Sequence, residues 1–103
     1  MKNADLDQVR AYLAALETLL EKERNDQSLL EFRRLCWAAV LIADDSECQE
    51  YIDLLVQRGK EFYACGEHPG LAEKLRTLLA SFRERLNHLE SGYGKRWRDL
   101  RVA

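Results

Sequence analysis

The chain has 103 residues, 47% of them apolar and 33% charged, with one Pro, five Gly and a formal net charge of −2. That is the length of one domain and the composition of a folded chain, not a disordered one. The near-neutral balance argues against a globally basic nucleic-acid binder, and no apolar run approaches the roughly 20 residues of a membrane helix.

The segment Met1–Asp7 holds two acids and no apolar stretch, so no signal peptide is expected. Leu6, Val9, Tyr12, Leu13, Leu16, Leu19 and Leu20 then recur in steps of three and four. This spacing predicts a first helix over about 5–24, with Asp5 as its N-cap and Gln8 completing a weak capping box. Asn25-Asp26-Gln27 makes a short turn, so the first two helices should run antiparallel.

Ser28 followed by Glu31 reads as a second capping box, opening a helix over about 28–43. Within it, Leu35-Cys36-Trp37-Ala38-Ala39-Val40-Leu41-Ile42-Ala43 passes nine residues without a charge. A helix apolar on every side belongs in a core. This run is therefore expected at the centre of the fold, with Trp37, Val40, Leu41 and Ile42 buried.

At Asp44-Asp45-Ser46-Glu47 the helix should break, because Asp and Ser compete with helical backbone bonding and favour caps. Asp44 with Glu47, or Ser46 with Gln49, would cap a third helix over about 46–65. An uninterrupted helix through residue 44 is the alternative. Gly59 falls on the Ile52–Leu55–Phe62 stripe and reads as a close-approach point or a local bend, with a chain break as the other reading. Gly66 ends this helix, and Pro69 opens a fourth over about 69–91. Leu71, Leu75, Leu78, Phe82, Leu86 and Leu89 form its regular seam, with Leu79 beside it. Ser91-Gly92 should end it, leaving a tail at 93–103. There Lys95, Arg96, Arg98 and Arg101 against Asp99 give the last nine residues +3 and leave −5 for the rest.

Few residues are spaced for chemistry. Cys65 and His68 form one ligand-like pair, but a structural zinc site needs two, and Cys36 and His88 are isolated. Neither histidine follows a Glu by three residues, as a di-iron bundle requires. No Gly-rich phosphate loop or nucleophile elbow is present. Three cysteines at irregular spacing read as reduced thiols in a cytoplasmic protein. No catalytic, cofactor or metal residue is therefore expected.

The tail invites a binding role, since Tyr93, Trp97 and Leu100 step by four and three among its cations. The purely structural alternative folds Tyr93 and Trp97 back over the end of the bundle. The fold class expected is all-α: an antiparallel four-helix bundle with a short basic C-terminal tail. The function expected is a small non-enzymatic protein-interaction module: a regulator, adaptor, inhibitor or secretion-chaperone-like factor. Its partner would be another protein or a second copy in a homodimer, and no membrane is involved. The expected contact residues are Leu79, Leu86, Leu89, Tyr93, Lys95, Arg96, Trp97, Arg98 and Leu100. A nucleic-acid-associated regulator using the tail is the alternative, disfavoured because the acidic body would repel phosphates.

Overall fold

The computed structural model describes the backbone of residues 3–64 and 69–102, and the side chains of residues 4–64 and 70–91. These residues form four helices and no strand: α1 (Asn3–Glu21), α2 (Asp26–Ile42), α3 (Ser46–Ala64) and α4 (Pro69–Val102). Among the described residues, α1 packs on α2 and α4, and α3 packs on α2 and α4, with no close backbone approach across either diagonal. Each helix thus has two neighbours.

The core follows the sequence periodicity. α1 contributes Leu6, Val9, Leu13, Leu16, Leu19 and Leu20, and α3 contributes Cys48, Ile52, Leu55 and Phe62. On α4 the buried row is Leu71, Leu75, Leu79, Phe82 and Leu86, while Leu78 and Leu89 are only partly covered. The seam therefore passes through Leu79 and not through the adjacent Leu78.

Two caps differ from expectation for a shared reason: neighbouring Asn, Asp and Ser residues compete for the same role. Asn25, in an extended conformation, caps α2 by accepting the Ser28 N–H at 2.8 Å. Ser28 lies inside the helix, and its hydroxyl donates to the Glu23 carbonyl at 2.7 Å. The expected break between α2 and α3 is present, with the Ala43 N–H closing on Ala39 O at 2.9 Å. Its cap is Asp45, whose carboxylate accepts the Cys48 N–H at 3.1 Å. The Gln49 side chain donates to Ala43 O at 3.0 Å and closes the corner from the other side. Asp5 sits within the first turn of α1 instead of capping it, where the helix dipole still favours an acid.

Gly59 lies inside α3 without breaking it. A Cβ there would stand 2.9 Å from Phe32 Cζ and closer still to Cε1, so the absence of a side chain at Gly59 is what lets the Phe32 ring of α2 pack on α3. Phe32 also meets Tyr63 edge-on at 5.7 Å between ring centroids.

α4 spans 34 residues against 17 to 19 for the others, and the molecule measures 55 × 23 × 19 Å. Helix continues past the expected stop at Ser91-Gly92 to Val102. Gly92 and Gly94 lower helix propensity by about 1 kcal/mol each but keep their N–H donors, and no proline follows to end the ladder.

The largest departure concerns α2. Its nine-residue apolar run is not enclosed: Trp37 is 67% exposed and Leu41 is 82% exposed. Val40 and Ile42 are only partly buried. With neighbours on two sides, a helix has an outward face, and an all-apolar run must place something on it. The inward side of α2 carries Phe32, Cys36, Ala39 and Ala43, whose steps of four, three and four make a compact buried row.

Candidate protein-docking surface

The outward face of α2 begins at Leu30, which is 52% exposed, and continues through Trp37 and Leu41. At 100° per residue these three fall within about 40° of one line, with Arg34 beside them. Helix periodicity therefore builds a straight apolar ridge. Single exposed leucines are ordinary, but an exposed Trp followed by a Leu one turn on is a contiguous patch.

Beside the ridge, α2 and α3 leave a groove of about 610 Å³, bordered by Trp37, Val40, Ile52 and Val56, with Arg33, Asp53 and Lys60 also on its walls. Cys36 forms part of its floor. The arrangement has an apolar centre and a charged rim, the anatomy of a protein interface. Exposed Trp is also the residue type most often found to anchor one.

Charge is polarised along this face. Arg33 and Arg34 are exposed in the first half of α2, and Lys60 borders the groove together with Arg33. Asp44 is exposed just past the end of α2, and Glu50 is exposed on α3. Glu31 points away from the ridge, toward the shallow depression between α1 and α2.

The two described thiols are poor nucleophiles. Burial pushes Cys36 up to about 12. Burial, and then the neighbouring Asp45, pushes Cys48 up to about 12 as well. Both are free cysteines. Cys65 and His68 lie outside the described residues, and among those described no group of His, Cys, Asp and Glu is arranged to hold a metal ion.

The contact residues expected from sequence separate into two sets. Leu79 and Leu86 are fully buried in the chain's own core, and Leu89 is half-buried against it. The side chains of Tyr93, Lys95, Arg96, Trp97, Arg98 and Leu100 lie outside the described residues, on backbone that belongs to α4. The ridge of Leu30, Trp37 and Leu41 was missed, because an all-apolar helix gives no sign of which side its neighbours leave open. The one available signal was arithmetic: a ring of four helices encloses none of them.

Among the described residues no helix is long and apolar enough to cross a membrane. No family model matches the chain, and neither a curated protein nor a solved structure matches it.

Proposed function

We propose that this chain is a non-enzymatic protein-interaction module, an antiparallel four-helix bundle that receives a protein partner on the outward face of α2. The observation that carries the reading is the juxtaposition of Trp37, 67% exposed, and Leu41, 82% exposed, on one ridge beside a groove with charged rims. Leaving a Trp and a Leu in water forgoes on the order of 1.5–3 kcal/mol for each, and a partner recovers it. The antiparallel order is supported by side-chain pairs that run in opposite senses. On α1 and α4, Arg10 meets Glu90 and Glu17 meets Arg83. On α2 and α3, Phe32 lies against Gly59 and Ala43 against Gln49. Inert, unpaired Cys36 and Cys48 fit a reducing compartment such as the cytoplasm. The reading assigns no catalytic residue.

The test is affinity capture with the wild-type chain and with Trp37→Glu/Leu41→Lys, both first checked for equal helicity by circular dichroism. The wild type should retain a partner, another protein or its own untagged copy, that the double variant loses. Identical capture by the two chains would remove the α2 face as a docking surface.

A further inference from the structure

We propose that the occupant of the α2 face is a second copy of this chain, packed with its α2 reversed about a two-fold axis level with Ala39. This rests on the docking role given above to that face. A two-fold contact must be self-complementary, because the same patch meets itself. The Trp37–Leu41 part of the ridge has that property in one direction only. Trp37 and Leu41 lie two residues either side of Ala39, and Arg34 and Asp44 lie five residues either side. Reversal therefore places Trp37 over Leu41 of the second copy, twice, and Arg34 toward Asp44 of the second copy, twice.

The same reversal turns the end bearing Arg33, Arg34 and Lys60 toward the end bearing Asp44 and the start of α3. A parallel two-fold arrangement would instead stack Arg33 and Arg34 on their own equivalents, and like charges brought together oppose association. A specific dimer needs about 500 Å² or more from each copy. Leu30, Trp37 and Leu41, with Arg33 and Arg34 exposed beside them, are the surface α2 offers to it.

Sedimentation equilibrium of the full chain over micromolar to millimolar concentration tests this. The wild type should approach twice its 12.0 kDa mass. Trp37→Glu, and separately Leu41→Lys, should remain at 12.0 kDa with unchanged helicity. Arg34→Gln decides the direction: in the reversed arrangement it removes two attractions and loosens the dimer about 3- to 10-fold. A tighter dimer for Arg34→Gln would overturn the reversed packing. Arg34→Glu and Asp44→Lys should each weaken self-association, and their mixture should restore a heterodimer. A wild type that stays at 12.0 kDa throughout, or variants that still dimerise, would overturn the second copy as occupant. A monomeric wild type whose captured partner depends on Trp37 and Leu41 would do so while leaving the docking face in place. Loss of both results would remove both readings.

Discussion

Asp45 ties the start of α3 to the middle of α4 through Arg85. Its carboxylate receives Arg85 Nε at 3.0 Å and Nη2 at 2.9 Å, and the same group accepts the Cys48 backbone N–H at 3.1 Å. One side chain is both a helix cap and half of a bidentate ion pair across 40 residues of sequence. Both partners are largely shielded from solvent, so the pair is less screened than the exposed ones between α1 and α4.

This pair predicts an acid-side loss of stability. Chiefly through the Arg85 hydrogen bond, the Asp45 carboxyl is held down at about 2, below the ordinary 3.8. The folded form therefore gives up its proton more readily than the unfolded chain. The stabilisation is complete above about pH 4 and is lost as the pH falls toward 2. Unfolding free energies from urea titrations of wild type and Asp45→Asn should differ by about 1–2 kcal/mol at pH 6 and converge near pH 2. Asn retains the cap acceptor, so Asp45→Ala should cost about 1 kcal/mol more. Equal pH profiles for wild type and Asp45→Asn would show that the pair contributes nothing.

Gly59 should not accept a methyl group. In an open helix Gly→Ala would gain about 1 kcal/mol. Here the new Cβ collides with the ring of Phe32, which is buried and held edge-on by Tyr63. Overpacking of this kind costs about 1–3 kcal/mol, so Gly59→Ala should be net destabilising in thermal melts. A rise in Tm would mean that the ring has room to move.

The two sides of α2 should respond oppositely to truncation. Leu41→Ala, at concentrations where the chain is monomeric, should change stability by less than about 0.5 kcal/mol. Phe32→Ala, on the buried side of the same helix, should cost about 3–5 kcal/mol. Comparable losses for both would place the whole apolar run in the core.

Thiol labelling reports the burial of α2 and α3 directly. With Cys36 and Cys48 both raised to about 12, their thiolate fractions at pH 7 are some thousandfold below that of a free cysteine. In a Cys65→Ser chain, both should react with a disulfide reagent far more slowly in buffer than in urea. Rapid native labelling of either would contradict its enclosure.

Removing the Tyr63 hydroxyl should be harmless. That oxygen is buried without a hydrogen-bond partner among the described residues, and burial raises its pKa. Tyr63→Phe deletes an unsatisfied polar atom while keeping the ring against Phe32 and Phe62. Stability should be unchanged or higher by about 1 kcal/mol.

The amino-acid sequence by itself determined four helical segments, favoured a break near Asp44, and placed Gly59 on an apolar stripe. It also determined most of the inward row of α4. Each depends on spacing within one segment: apolar steps of three and four, a cluster of Asp and Ser, or a glycine on an apolar stripe. Tertiary structure alone decided which neighbouring polar residue became a cap, because Asn25 and Ser28, or Asp44, Asp45 and Ser46, offer nearly equal local bonds. At the second corner, Arg85 donates to Asp45 through both Nε and Nη2 and also stands 3.4 Å from the Glu47 carboxylate. Tertiary structure also decided that Trp37 and Leu41 face outward. Periodicity locates a face by contrast between apolar and polar positions, and nine uncharged residues from Leu35 to Ala43 provide little contrast. Their orientation follows from Phe32 packing on Gly59 and from the small residues Cys36, Ala39 and Ala43 that let α2 close on its neighbours, which leaves the bulkiest side chain of the run on the outside.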